Sequence, residues 1–274
     1  MAMNQSGLFL NNPLARAFWE QESVKECPIY DMHCHMGENN AITFPLADIG
    51  RMLSHMERIN AKIAFCHHWA LFTPEFTNEK CYGIAKEHKD RMRIYIAINP
   101  HYPELMQHNI EMYDKWKDIA IGFKILPDYH LVQACDKRYA PALERANADG
   151  AFVLVHTWGG SNYDGPEQLR PVVQKYPKAK FIIGHCFNNM FDDAIRLCNE
   201  NPDHVFLELT SIPGESGAIE KLVEGAGSEH ILFGTDMPWF DYYQAVGGIV
   251  GAKISADDMH NILHRNAERL LPGF

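Results

Sequence analysis

The sequence predicts a single (β/α)₈ barrel, and three observations predict this fold class. Short apolar segments alternate eight times with amphipathic segments of helical length, and this alternation occupies nearly all of the 274 residues. Residues 33–37, which end the first apolar segment, read His-Cys-His-Met-Gly. An open doubly wound sheet would normally have a glycine-rich phosphate-binding turn there. A barrel closed by right-handed crossovers is therefore favoured over the open sheet.

The predicted strands are short, rich in Ile, Val and Phe, and continuously apolar. This pattern is typical of parallel strands that are buried on both faces. The eight predicted strands are residues 29–35, 61–66, 93–98, 119–125, 152–156, 181–185, 205–210 and 231–235.

Amphipathic segments separate these strands, and several have the residues that begin or end a helix. Pro103 and Pro166 suit a first helical turn, Gly150 suits a C-terminal cap, and Ser255 followed by acidic residues suits an N-terminal cap. The predicted helices are residues 46–60, 78–89, 103–117, 137–149, 166–176, 190–201, 215–225 and 242–252, and a closing helix at 255–271.

The ends of the chain and its uniform composition predict one domain. Residues 1–27 are expected to form an N-terminal extension, mostly loop with about one turn of helix. No linker, repeat or low-complexity segment divides the sequence. We therefore expect a single domain over residues 1–274.

Composition excludes several classes of function. Lys and Arg number 25 against 35 Asp and Glu, a net charge of −10 without a basic cluster, which disfavours binding to nucleic acid or to an anionic membrane. The sequence has no apolar run long enough to span a membrane, and from its first residues we expect no export signal. Seven scattered cysteines without CxxC pairs favour free thiols. We expect a cytoplasmic protein that acts on a small molecule.

The chemically active residues of a barrel stand at the carboxyl ends of its strands. His33 and His35 end the first predicted strand, His156 ends the fifth, His185 ends the sixth, and Asp236 follows the eighth. His33 and His35 are two residues apart, so they share one face of the strand and can converge on one ion. Three imidazoles and one carboxylate suit Zn²⁺, with Mn²⁺, Fe²⁺ or Co²⁺ as alternatives. His185 is expected beside the metal as an acid or base.

Each of these residues also has an ordinary structural explanation. A single His-x-His pair is a weak metal signal, His156 or His185 alone could bond a backbone carbonyl, and Asp236 could cap a helix. Together, however, they would place several ionisable groups at one barrel rim, which is costly unless the groups are paired or coordinated. The combined pattern therefore predicts a metal site.

Five segments of the sequence resemble the amidohydrolase superfamily. They are YDMHCHMG, VLVHTWG, FIIGHC, ILFGTDMPW and NILHRNAERLL. More narrowly, they resemble the amidohydrolase-related branch, which includes aminocarboxymuconate-semialdehyde decarboxylase, related aromatic-acid decarboxylases and several lactonases. The resemblance implies that His33, His35, His156 and Asp236 bind one divalent metal ion. It also implies that His185 activates water or polarises the substrate and that Asp236 shares in proton transfer.

Lys124 ends the fourth predicted strand, where binuclear members of the superfamily have a carboxylated lysine that bridges two metal ions. Our preferred interpretation is a single metal ion, with Lys124 either packed in the barrel or in contact with an anionic substrate. A second metal ion held through Lys124 is the less favoured alternative.

The ligand set predicts hydrolysis of an ester, lactone or amide by metal-activated water, catalysed by His185 and Asp236. Non-oxidative decarboxylation of an unsaturated or aromatic acid is the alternative. A non-catalytic metal-binding scaffold is disfavoured because both catalytic candidates are present. The absence of arginine at the strand ends favours a neutral or weakly anionic substrate, whereas aromatic residues there would suit a planar acid. The expected substrate contacts are Lys124, His67, His68, Trp69, Trp158 and Trp239. By analogy with other barrel enzymes, we expect a homodimer.

Overall fold

The structure is a computed structural model that describes residues 12–37, 48–67, 71 and 77–274. In this part of the chain, eight parallel strands form one sheet in sequence order. The strands, β1 to β8, are Ile29–Met36, Ala61–His67, Met92–Ala97, Ala120–Ile125, Phe152–His156, Lys180–Gly184, Val205–Glu208 and Ile231–Leu232.

The sheet curves until its first and last strands meet. The Met32 amide donates to the Phe233 carbonyl at 2.9 Å, and the Asp236 amide donates to the His33 carbonyl at 2.7 Å. The His35 amide donates to the Met237 carbonyl at 2.6 Å. These bonds close the sheet into the predicted barrel and bring the residues after β8 against the carboxyl end of β1.

Helices follow the strands and cover the outside of the barrel. Their apolar faces pack on Val, Ile and Phe side chains of the strands, most of which are fully buried. The helices, α1 to α12, are Pro13–Gln21, Ile49–Ile59, Thr77–Glu87, Pro103–Lys115, Pro127–His130, Ala140–Asp149, Pro166–Lys175, Phe191–Glu200, Ala218–Ala226, Tyr242–Gly251, Ala256–His260 and Asn266–Leu270. Short 3₁₀ turns lie at Lys137–Tyr139, His185–Phe187, Ile212–Gly214 and Ser228–His230.

Residues 12–27, the described part of the N-terminal extension, are more helical than the sequence predicted, and residues 1–11 lie outside the described residues. Helix α1 has nine residues rather than one turn. The Asn12 side chain accepts hydrogen bonds from the amides of Leu14 and Ala15, and Pro13 occupies the first helical position. A strong cap combined with proline therefore stabilises a helix where the apolar periodicity of the sequence was weak.

The closing helix is also different in detail. Its Ser255 cap is present as a reciprocal capping box with Asp258. The segment Asn261–Arg265 is a π-helix that joins α11 to α12, so the predicted helix 255–271 is widened in its middle. No helix in the described residues is long and apolar enough to cross a membrane. All seven cysteines fall in the described part, and all are free, as predicted.

Candidate metal centre and active site

Three of the predicted ligands form a compact group at the junction of β1 and the residues after β8. The His35 Nε2 atom lies 2.7 Å from Asp236 Oδ1, and His33 Nε2 lies 3.3 Å from the same oxygen. All three side chains are buried or nearly so. Their donor atoms lie within 4.8 Å of one another, close enough to bind a single ion.

The two histidines of β1 are held by partners on their other ring nitrogens. His33 Nδ1 lies 2.8 Å from Glu208 Oε2, and His35 Nδ1 lies 3.3 Å from Cys66 Sγ. Glu208 also accepts hydrogen bonds from the amide and hydroxyl of Thr210 through its other oxygen. Such contacts fix the orientation and tautomer of a histidine and direct Nε2 toward the other candidate ligands.

The backbone around this group is shaped to place the side chains. Asp31 accepts hydrogen bonds from the His33 amide and from both the amide and hydroxyl of Thr235, which ties the end of β1 to the segment after β8. A Cβ atom at Gly234 would lie 2.0 Å from Glu208 Oε1, so only glycine allows the glutamate to reach His33. Asp236 has φ of +57°, a left-handed conformation unusual for a non-glycine residue.

His156 and His185 face the same pocket but stand apart from the three-residue group. The ring centroid of His185 lies 4.9 Å from that of His156 and 5.2 Å from that of His33. His156 Nδ1 lies 2.8 Å from the buried carboxylate of Asp164, so its Nε2 is the nitrogen left for coordination. His185 Nδ1 is buried and has no hydrogen-bond partner among the described residues.

The turn that carries His185 is strained. His185, Cys186 and Phe187 all have positive φ, between +48° and +64°. The Phe187 amide is held by the Thr157 hydroxyl at 3.0 Å, and the Cys186 thiol donates to the Glu208 carbonyl at 3.1 Å. Backbone strain of this kind persists only where surrounding contacts maintain it, and it is concentrated at functional sites.

Lys124 is fully buried at the end of β4, with its Nζ atom beside a candidate metal ligand. Lys124 Nζ lies 2.8 Å from His33 Nε2. Burial lowers the pKa of the lysine from its ordinary value. The side chain therefore lies among the candidate ligands and its nitrogen contacts one of them directly, whereas its predicted contact with a substrate stays a prediction.

The candidate ligands open into a pocket whose walls are largely aromatic. Trp158, predicted as a substrate contact, is partly exposed there and stacks on the His156 ring at 6.2 Å. The pocket is lined by His35, Lys124, Leu126, Tyr129, His156, Trp158, His185, Ser211, Asp236, Trp239 and Phe240. Of the other predicted substrate contacts, His68, Trp69 and the side chain of His67 lie outside the described residues.

Burial and charge shift the pKa values of the site in opposite directions. Burial, together with His156, lowers the pKa of His185 to about 3, so its imidazole is neutral near pH 7. Burial acts to raise the pKa of Asp236, but His33 and His35 outweigh it and hold that pKa well below its ordinary value. The pocket therefore contains a carboxylate beside a neutral imidazole.

The donor set fits a divalent cation of the zinc or manganese type. Two imidazole nitrogens and a carboxylate oxygen converge within coordination range, and the carboxylate is ionised. Lys124 Nζ lies 2.8 Å from His33 Nε2, the ring nitrogen that would coordinate the ion. His33, His35 and Asp236 are the ligands that the geometry supports best, and His156 lies at the same pocket as a candidate fourth.

Sequence reasoning missed part of this site. Glu208 is buried and contacts His33, and the sequence did not predict this pairing. Asp164 and Asp31 were not singled out at all. Asp164 follows an Asn-Tyr pair in a loop, and nothing in its neighbourhood indicates a histidine partner.

Comparison with known families decides the relationship. The sequence model described as amidohydrolase matches residues 30–273. The chain belongs to the amidohydrolase family. The resemblance inferred from five motifs is thereby confirmed, and the match includes every residue of the candidate site. The comparison with curated proteins gave no significant match.

Solved structures share the fold at low sequence identity. An uncharacterised TIM-barrel protein from Bordetella bronchiseptica has a TM-score of 0.73 and 16% identity, over 89% of this chain and 98% of its own. The 5-carboxyvanillate decarboxylase from Sphingomonas paucimobilis has a TM-score of 0.70 and 13% identity, over 89% of this chain and 98% of its own. Dihydroxybenzoic acid decarboxylase from Polaromonas sp. JS666 was solved with manganese and 2-nitroresorcinol. It has a TM-score of 0.71 and 15% identity, over 89% of this chain and 96% of its own. These likenesses show the barrel fold.

Proposed function

We propose that this chain is a metal-dependent enzyme that removes CO₂ from a small planar carboxylic acid, unsaturated or aromatic, without redox chemistry. One observation carries the proposal: the pocket over the candidate ligands combines a buried lysine, Lys124, with aromatic walls that include Trp158 and Trp239. Two decarboxylases of aromatic acids share the fold, and one was solved with manganese, which supports this reading. Decarboxylation, which the sequence indicated as the alternative to hydrolysis, is therefore the reaction that we favour.

The metal ion would be held by His33, His35, His156 and Asp236, with Glu208 orienting His33. When bound, a divalent cation supplies positive charge that polarises the substrate group lying against it. The remaining chemistry belongs to the side chains of the pocket, which bind the substrate, orient it and move a proton.

Lys124 and the aromatic walls would position the substrate. Lys124 is buried and its Nζ atom contacts His33. A carboxylate bound beside Nζ would favour the ammonium form of the lysine and would accept a charge-assisted hydrogen bond from it. The stacked pair of His156 and Trp158, whose planes differ by 12°, offers a flat surface for a ring. A planar acid would thus be fixed with its carboxylate toward the ligands.

His185 would deliver the proton that decarboxylation requires. A proton is added to the carbon that bears the carboxylate, the bond to the carboxylate carbon then breaks, and its electron pair restores the unsaturated system as CO₂ leaves. One ring nitrogen of His185 is uncommitted, so the imidazole can take up a proton from solvent and pass it on. Because burial disfavours the imidazolium form, that proton is released readily to a weakly basic carbon.

Hydrolysis of a lactone or ester is the second candidate, and a specific observation favours it. None of the described residues that line the pocket is an arginine, and the Asp236 carboxylate stands beside a neutral His185. In that reaction Asp236 would accept a proton from the attacking water and return it to the leaving group. His185 would stabilise the oxyanion.

A substrate panel separates the two reactions. The metal-loaded protein is incubated with hydroxylated aromatic acids and with lactones, and the release of CO₂ and of new acid is measured. We expect CO₂ from an aromatic acid and, in D₂O, one deuterium on the carbon that lost the carboxylate. Acid release from a lactone without CO₂ would establish hydrolysis instead. Failure of both panels would contradict both candidates.

A histidine variant tests the assigned proton donor. We expect His185→Asn to lower turnover about 10²- to 10⁴-fold with the bound metal retained. His204→Asn is the matched control, because His204 bonds the Val173 carbonyl away from the pocket, and its turnover should stay near that of the natural protein. Near-normal activity of His185→Asn would exclude the role.

A further inference from the structure

A second group of metal-ligating side chains lies at the opposite end of the barrel. Cys27 precedes β1 by two residues, whereas the candidate active site lies at the carboxyl end of that strand. His260 ends α11, and His264 lies one turn further along the closing helix. One donor atom from each of these three residues lies within 4.8 Å of the other two.

Two of the three distances between donor atoms in this group fit a tetrahedrally coordinated cation. Cys27 Sγ lies 3.7 Å from His260 Nδ1, and His260 Nδ1 lies 3.0 Å from His264 Nε2. Zinc bonds of about 2.3 Å to sulfur and about 2.0 Å to nitrogen place tetrahedral ligands about 3.6 Å apart for sulfur and nitrogen, and about 3.3 Å apart for two nitrogens. Both distances therefore need a change of only a few tenths of an ångström.

The helix and a neighbouring carboxylate arrange the two histidines. The π-helical segment Asn261–Arg265 begins directly after His260 and contains His264. Such wide helical turns are frequent at functional sites. His264 Nδ1 lies 3.1 Å from Glu268 Oε2. The geometry is that of an ion pair rather than of a hydrogen bond, and a carboxylate beside Nδ1 favours Nε2 as the coordinating atom of the histidine.

We propose that Cys27, His260 and His264 form a second, structural Zn²⁺ site, with water as the fourth ligand. One sulfur and two imidazole nitrogens form a borderline-soft donor set that suits Zn²⁺. Cys27 is fully buried and the two histidines are partly buried, so the cation reaches the site from the histidine side. Once bound, it clamps the segment before β1 to the closing helix, across 233 residues of sequence.

The bound cation must displace the thiol proton. Burial and Glu268 raise the pKa of the Cys27 thiol to about 12, and a divalent cation deprotonates a coordinating thiol outright. The competing explanation is a set of ordinary hydrogen bonds, in which the two imidazoles bond each other and the Cys27 thiol donates to the Pro28 carbonyl. Counting the bound metal separates these explanations.

Elemental analysis of the whole protein after zinc loading and dialysis provides this count. We expect two equivalents in the natural chain, one in Cys27→Ser, one in Asp236→Ala and none in the double variant. If only the active-site assignment fails, the natural chain will hold one equivalent and Cys27→Ser none. Cys135→Ser changes an exposed cysteine and should not alter the count. An equal zinc content in Cys27→Ser and the natural chain would overturn the proposal.

Cobalt gives a second measurement that identifies the ligand. Co²⁺ bound through a thiolate has a sulfur-to-metal charge-transfer absorption, which nitrogen and oxygen ligands lack. We expect this absorption in the natural chain and in Cys66→Ser, and its loss in Cys27→Ser and His264→Gln. Glu268→Gln should keep the absorption but weaken affinity about 10- to 100-fold. A natural chain without the absorption, or a band that persists in Cys27→Ser, would contradict the site.

Discussion

At the residue scale, the candidate active site consists of ligands and of the side chains that hold them. His33 and His35 were predictable because two residues on one strand share a face, and Asp236 because it follows the last strand. The pairing of His33 with Glu208 could not be predicted, because these residues are 175 positions apart and only the closed barrel brings them together. Local patterns indicate which face a side chain occupies, but they do not indicate its partner.

Replacement of Glu208 tests the support of His33. Glu208→Gln keeps the size of the side chain but removes the carboxylate that fixes the histidine tautomer, so we expect metal affinity at the barrel mouth to fall about 10- to 100-fold. Isothermal titration with zinc, in the Cys27→Ser background, measures this. The control, Glu220→Gln, changes a glutamate on the outside of the barrel that accepts a bond from the Lys253 amide. Equal affinity in both variants would contradict the assignment.

Replacement of Lys124 distinguishes a substrate contact from a metal bridge. Lys124→Met removes the ammonium and keeps a similar volume, so a substrate carboxylate loses a charged hydrogen bond of about 1.5–3 kcal/mol. We therefore expect KM for an acid substrate to rise about 10- to 100-fold, with metal content unchanged. The loss of a metal equivalent in this variant would indicate the bridging role instead.

At the scale of elements, all eight strands lie where the sequence predicted them, with shifted ends. The largest difference is β8, which has two ladder residues where five were predicted, because the residues after Leu232 leave the ladder to bond β1 and to position Asp236. The short helix α5 was not predicted, because four residues carry too little periodicity. Segment ends are therefore set by contacts that the site requires.

Alanine substitutions at a closely packed glycine and at an exposed glycine test how tightly neighbouring strands pack. A Cβ atom at Gly122 on β4 would lie 2.0 Å from the Phe152 carbonyl oxygen, whereas at the exposed Gly83 in α3 it would meet nothing within 4 Å. We expect Gly122→Ala to lower the free energy of unfolding by at least about 2 kcal/mol. Gly83→Ala should raise it by about 0.5–1 kcal/mol. Urea denaturation measures both, and similar values for the two variants would refute the account of close strand packing.

At the scale of the whole molecule, the order of strands and the location of the site at the carboxyl ends follow from the eightfold alternation alone. The strained turn at residues 185–187 and the aromatic walls depend on contacts between loops, which no local pattern encodes. Cytoplasmic localisation and the homodimer stay predictions.

A buried histidine makes the stability of the whole barrel depend on pH. His130 lies between the Tyr139 hydroxyl and the Leu71 carbonyl, and burial lowers its pKa to about 4 from 6.5. The unfolded chain binds the proton more tightly, so stability is full above about pH 6.5, falls by roughly 3 kcal/mol as the pH drops to about 4, and levels below that. In His130→Gln this contribution should be missing. Unfolding midpoints between pH 4 and 8 provide the measurement, and identical pH profiles would disprove it.

We propose above all that β1, β5 and the segment after β8 hold one divalent cation. Anomalous diffraction from crystals of the metal-loaded protein locates the ion and so distinguishes the mouth of the barrel from the Cys27 group. We expect a single peak at the mouth of the barrel, bonded to His33, His35 and Asp236, with His156 as the fourth protein ligand. An empty mouth under metal-replete conditions, or two peaks on either side of Lys124, would contradict it.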